Sequence, residues 1–175
     1  MSGKTTSIKY LFSYFNKENL LESIDNSIGR TLFFDFGVLQ FKGTEWVLKL
    51  LVFSATGQDF YASTRPATLN GVDGIIFVAD SQIKFMGHNM RSWNELKTLF
   101  GNDIYNIPIV IALNKYDLEN VKKINEVNFL NCIASNKFKN LMLKKTVALR
   151  GEGIIDSFFQ LIKFILPQLN LNLKN

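Results

Sequence analysis

The sequence predicts an α/β domain built on a doubly wound, mostly parallel sheet, and three observations carry that expectation. "GIIFVAD" (74–80) and "IPIVIALNK" (107–115) are short, uninterrupted apolar runs, the mark of strands buried on both faces. Between them Met90, Trp93, Leu96 and Phe100 recur at helical spacing, so strand, helix and strand follow one another. The alternation continues through the chain without repeats, linkers or low-complexity stretches.

Taken in order, Ile8, Leu11, Phe12 and Phe15 mark the inward face of a first helix behind "MSGKTTSIKY". "TLFFDFGVLQF" (31–41) and "EWVLKLLVF" (45–53) are rich in aromatic and branched residues, and "KGT" between them is a turn, so a hairpin is expected. The two buried strands and their helix come next. "LKKTVAL" (143–149) predicts a further strand, and "GIIDSFFQLIKFIL" (153–166) a closing helix ended by Pro167. The apolar residues of that helix are spread too broadly for a membrane-surface face, so packing on the sheet is expected.

Composition sets the bounds. A chain of 175 residues is read as one domain, 1–175, large enough to bury about 70% of its unfolded surface. A hydrophobic fraction of 47% argues against disorder, and no apolar run reaches transmembrane length. No signal peptide, acceptor glycine after Met1 or prenylatable cysteine is visible, so no lipid anchor is expected. The single cysteine, Cys132, cannot form an internal disulfide; a reducing cytoplasm and a semi-buried helix position are expected for it. The basic residues behind the net charge of +5 are scattered, which fits a solvated face better than a nucleic-acid site. His88, the one histidine, has no second ligand nearby and is expected on a loop.

Four stretches carry chemistry. Asn114-Lys115-Tyr116-Asp117 directly follows the strand "IPIVIAL". Guanine offers two adjacent donors, N1–H and N2–H₂, and one carboxylate accepts both, whereas adenine presents no matching pair. Asp117 suits that role, with the stem of Lys115 over the base and Asn114 tying the loop together. The same four letters can start a solvated helix with Asp as N-cap, but their place after a buried strand and downstream of G-K-T favours guanine. Gly3-Lys4-Thr5-Thr6, at a helix start, matches the second half of a phosphate-binding loop. Backbone N–H groups attract phosphate there, Lys4 suits the β- and γ-phosphates, and the Thr5 hydroxyl suits Mg²⁺. In "FSATGQDFY", Gly57 can bring its N–H close to a γ-phosphate, and Gln58 can orient an attacking water. In "GRTLFFDF", Thr31 can reach the metal and γ-phosphate, and Arg30 developing charge; a solvent-exposed arginine is the other reading of Arg30.

These stretches, with the late "VALRGEG", fall in the order of the Ras-like small GTPases, which are P-loop NTPases. Within that superfamily the chain most resembles the gliding-motility polarity (MglA-like) branch, on "RTLFFDF", "TGQDFYASTRP", "GVDGIIFVADSQ", "NKYDL" and "RGEG". The resemblance implies a Ras-like fold, GTP/GDP and Mg²⁺ as ligands, slow hydrolysis and a nucleotide-dependent switch. It implies that the Ala148 N–H meets guanine O6, with Leu149 beside it, and that Arg30 is a built-in finger. The partner it implies is a roadblock/longin-type dimer acting as a GTPase-activating protein, alongside effectors.

Two departures stand out. Most Ras-like proteins carry Asp-x-x-Gly before the glutamine; here Ser54 holds the aspartate position, as a hydroxyl does in the polarity branch, and should grip Mg²⁺ less firmly. The other is at the start: the first glycine of the phosphate loop and the strand before it are missing. In a Ras-like sheet that strand lies centrally, between "EWVLKLLVF" and "GIIFVAD", so two facing edges are expected to lack it. An omitted upstream segment or a decayed gene product would account for that. A non-hydrolysing GTPase-like interaction module, or a fragment with weakened nucleotide binding, is the alternative to a working switch.

Overall fold

A computed structural model describes residues 2–25, 31–43, 46–55 and 69–168, with the side chains of 23–25 and 31–34 set aside. The described chain divides into two compact units, Gly3–Gly71 and Val72–Asn175, with Ser2 clustering with the second.

The first unit opens with α1 (Lys4–Tyr14), followed by β1 (Leu21–Asp25), β2 (Thr31–Lys42) and β3 (Val47–Ala55). The three strands form an antiparallel sheet in the order β1-β2-β3. Strand residues alternate between faces. Asp35, Gly37 and Leu39 are therefore all buried, while Phe36 and Val38 between them are half-buried. α1 packs on β2 and β3, and Ile8, Leu11 and Phe12 are its buried residues, the face its periodicity predicts. Asn16 ends the helix in the left-handed region, φ 53°. Its N–H bonds the Ser13 carbonyl and the Lys17 N–H bonds that of Phe12, a full Schellman stop.

The second unit contains β4 (Ile75–Asp80), α2 (Met86–Phe100), β5 (Ile109–Asn114), α3 (Glu126–Cys132), β6 (Leu141–Lys145) and α4 (Ile154–Ile165). Its strands form a parallel sheet, β4-β5-β6, with central β5 buried along its whole length. Ile109, Ile111 and Leu113 join Trp93 of α2 and Phe129 of α3 in one apolar cluster. The pleat turns Val110 and Ala112 to the other side of the strand, and α4 packs against β5 and β4. Ile154, Ser157, Phe158, Leu161 and Ile162 give α4 a buried stripe at helical spacing, so its apolar residues are better ordered than their spread in sequence suggests.

Several expectations need correction. β1 was not foreseen. The predicted strand at 143–149 runs instead over 141–145, because its last residues leave the ladder to form a loop. Cys132 is exposed, since it closes α3 on the outer side. His88 lies exposed in the first turn of α2 and not on a loop. The α/β class with a parallel sheet holds. Among the described residues, however, the strands make two three-stranded sheets, and β3 and β4, between which the sequence expects a further strand, are each the edge of one.

Gly37 gives the first unit a test. A Cβ there would lie 2.4 Å from the Phe12 ring and 2.9 Å from the Leu20 carbonyl oxygen, and Phe12 is fully buried. Gly37→Ala should therefore cost roughly 1–3 kcal/mol through overpacking, read as a lower urea midpoint at unchanged slope. Phe12→Leu in the same chain should recover part of that loss.

Candidate functional site

The first unit brings one group of predicted residues together. Gly3, at φ 101°, precedes α1 and leads the chain into it, so Lys4, Thr5 and Thr6 form the opening turn, all half-buried. Helix geometry leaves the N–H groups of such a turn without intrahelical acceptors, which suits an anion. The Ser7 N–H closes the turn on the Gly3 carbonyl at 2.9 Å. The Thr5 hydroxyl donates to Asp35 Oδ2 at 3.0 Å, and Asp35 is fully buried in β2. Asp35 stands directly opposite buried Ser54 in the β2–β3 register. The sequence reading missed Asp35. Its signal was an acidic residue in the inward row of an aromatic strand, where a carboxylate persists only with partners. Two hydroxyls and a carboxylate are hard oxygen donors of the kind Mg²⁺ takes, so this donor set fits the ion. Thr31 begins β2, but its side chain is not among those described, and Arg30, Gly57 and Gln58 lie outside the described residues.

The second unit gathers the other group at the carboxyl ends of its parallel strands, where open α/β sheets bind ligands. Asn114 ends β5 with 2% of its surface exposed. Its Oδ1 accepts the Ala148 N–H at 2.9 Å and the Thr146 hydroxyl at 3.3 Å, and its Nδ2 donates to the Ser2 carbonyl at 2.8 Å. Asn114 thus ties the loop after β5 to the loop after β6. The Ala148 N–H expected for guanine O6 is bonded here to Asn114, and Leu149 beside it is 84% exposed.

Lys115 follows in the left-handed region, φ 61°. Its Nζ reaches Asp80 Oδ2 at 2.6 Å, so the ammonium is anchored at the end of β4. Asp80 is itself fixed: Oδ1 accepts from the Gln82 N–H and Nε2, and Asn89 of α2 bonds its backbone N–H and carbonyl. Asp117 lies on the turn beyond, a quarter exposed, beside a cleft of about 160 Å³ lined also by Thr146, Val147 and Arg150. Arg150 Nη1 stands 3.8 Å from Asp117 Oδ2, while Arg150 Nε bonds Glu152 at 2.6 Å. The Glu152 carboxylate, with a smaller contribution from Asp117, raises the Arg150 pKa above its ordinary value. Gly153 lets the Val147–Glu152 hairpin return to the sheet. It sits at φ 71°, and a Cβ there would lie 2.3 Å from the Lys145 carbonyl.

A strand-end asparagine bonded to a neighbouring loop and, in the other unit, a G-K-T helix start are features of the small GTPase class. The ADP-ribosylation factor family model matches residues 2–165, and the chain belongs to that family. It is 34% identical over 177 residues to the mutual gliding-motility protein MglA of Myxococcus xanthus, covering 97% of this chain and 87% of MglA. It is also 26% identical over 124 residues to the Ras-related protein Rab-4B of Homo sapiens and 25% identical over 124 residues to Rab-4 of Dictyostelium discoideum. Those alignments cover 70% of this chain and just over half of each relative, 55% and 58%. Among the described residues no helix is long and apolar enough to cross a membrane.

Asn114→Ala removes three hydrogen bonds from a buried position at once. Leaving the Ala148 N–H and Thr146 hydroxyl without that acceptor should cost roughly 2–4 kcal/mol, measured by chemical denaturation. Hydrogen exchange of the Ala148 amide should accelerate more than that of the β5 amides.

Proposed function

We propose that the chain binds GTP with Mg²⁺, hydrolyses it slowly to GDP and phosphate, and signals through partners that distinguish the two states. The observation that carries this reading is the Asn114 junction, which fixes the loop bearing Asp117 against the loop bearing Ala148. In this reading the Asp117 carboxylate accepts N1–H and N2–H₂ of guanine, and O6 shares the Ala148 N–H with Asn114 Oδ1. Lys115 and Leu149 flank the base. Gly3, Lys4, Thr5, Thr6 and Gly57 contact the phosphates, and Thr5, Thr31 and Ser54 serve Mg²⁺, with Asp35 supplying the carboxylate that position 54 lacks. Mg²⁺ held there would neutralise phosphate charge. Gln58 orients the attacking water, and Arg30 meets the charge that develops on the transferred group. We read residues 1–175 as one GTPase domain, because the family match runs through both units. A roadblock/longin-type dimer is the proposed activating partner, on the likeness to MglA, and the lone Cys132 supports work in a reducing cytoplasm. The competing reading, a non-hydrolysing interaction module, draws on Ser54; phosphate release from GTP with and without the partner separates the two.

Asp117→Asn places a donor against guanine's donors. It should lower GTP affinity on the order of a hundredfold and raise relative affinity for xanthosine triphosphate. A variant that binds both nucleotides as the parent does would remove Asp117 from the site. Without an engaged arginine small GTPases turn over at roughly 10⁻⁴ s⁻¹, and an engaged one adds about 10³–10⁵-fold. Arg30→Ala should therefore abolish the partner-stimulated rate while sparing GTP binding, and Gln58→Leu should do the same. A stimulated rate that survives Arg30→Ala makes that residue a surface charge.

A further inference from the structure

We infer that Lys123 is a positioning residue for guanine selection, its ammonium holding the Lys115 carbonyl and with it the turn that presents Asp117. The inference rests on the guanine-binding reading above and adds a residue outside every motif in the sequence.

The Lys115 carbonyl is the hinge of the loop. It accepts the Leu118 N–H at 3.3 Å, closing a turn in which Asp117 is the third residue. It also accepts from the Ser81 hydroxyl at 3.0 Å and from Lys123 Nζ at 2.9 Å. Lys123 supplies the shortest of the three contacts and the only charged donor, and charge-assisted bonds are the stronger kind. The residue bearing this carbonyl has φ 61°, a backbone conformation that an L side chain rarely adopts, so the peptide needs outside support to stay there.

Lys123 is itself held in place. Gln82 and Lys123 form an antiparallel bridge, the Ile83 N–H bonds the Lys122 carbonyl at 2.8 Å, and the Ile124 N–H bonds the Ser81 carbonyl at 2.7 Å. Ile124 is 2% exposed, which pins the strap to the core. From there Nζ lies 5.5 Å from the centroid of the Tyr116 ring, the residue between Lys115 and Asp117. Among the described residues Lys123 makes no ion pair; its charge is directed at a carbonyl and an aromatic face. The neighbouring Lys145, 4.6 Å from the same ring, is instead paired with Glu126 at 2.7 Å. A lysine that only decorated the surface would not converge with Ser81 on one backbone oxygen.

The consequence concerns selectivity as well as affinity. If the Lys115–Tyr116 peptide turns, Asp117 no longer meets N1–H and N2–H₂ together. Hypoxanthine lacks N2–H₂ and has less to lose. Dissociation of N-methylanthraniloyl-GDP reads release, and equilibrium competition against it by GDP and by inosine diphosphate reads the preference, with thermal melting alongside. Lys123→Met should weaken GDP binding about tenfold, mainly through faster release, and narrow the GDP-to-IDP preference roughly threefold or more. Lys123→Arg should restore most of both. Should Lys123→Met fail to fold, Ser81→Ala tests the same carbonyl and should narrow the preference in the same direction. Equal GDP release and an unchanged preference in Lys123→Met overturn the inference. So does a proportional loss for both nucleotides, which is what a purely structural staple would give. A parent chain that binds neither nucleotide overturns the guanine reading itself, a different result from a parent that binds while its variants do not change.

Discussion

The loops at the carboxyl ends of the parallel sheet depend on one buried amide. Asn114 ends the central strand of a parallel sheet and is almost fully buried, a position where an amide must find partners for both ends. It does so by crossing between loops, taking the Ala148 N–H and the Thr146 hydroxyl and giving to the Ser2 carbonyl. A shorter side chain would not reach, and a carboxylate would have no donor to offer Ser2. The geometry of the loops after β5 and β6 therefore follows from a residue that belongs to the core as much as to the site. Gly153 completes the arrangement, since any side chain there would strike the Lys145 carbonyl and push the second loop off the sheet.

A second constraint lies in the first unit, and it is electrostatic. Ser54 removes a negative charge where most Ras-like proteins keep one, and a hydroxyl alone is a weak ligand for a divalent ion. The buried Asp35 lies one strand away, opposite Ser54, within hydrogen-bond distance of the Thr5 hydroxyl. A fully buried carboxylate is costly without partners, and the Thr5 hydroxyl is one that Asp35 has.

How much of this was legible in the sequence follows from the range of the interactions. β4 and β5 could be read because each is a continuous apolar run, and α1 and α2 because their apolar residues keep the helical period. β1 escaped notice because "LESID" mixes polar and apolar residues over five positions, too short and too polar for a pattern. β6 was placed a few residues late because "TVAL" looks like strand by propensity, while the pull of Asn114 on Thr146 and Ala148 makes it loop. Asn114, Asp117 and the G-K-T turn were singled out as candidates from local strings whose chemistry is carried in consecutive letters. Asp35 and Lys123 were not, because each acts on a partner known only once strands and loops are assembled.

The same distinction explains the charges around the loop. The sequence expects the stem of Lys115 over the base; its ammonium lies on a buried aspartate held by Gln82 and Asn89. Fixing the head of a long side chain removes rotamer freedom before any ligand arrives, which lowers the entropy lost on binding. Asp117, by contrast, faces Arg150 at a distance too long for a strong bond, while Arg150 is closely engaged by Glu152. The carboxylate is thus kept near positive charge without being captured by it, and its oxygens stay available to donors that fit better. On the guanine-binding reading proposed above, a loop built this way fixes what carries the aspartate and leaves the aspartate itself to be satisfied by the ligand. That division suits discrimination between bases, because a ligand lacking the second donor leaves a partly desolvated carboxylate oxygen without a partner.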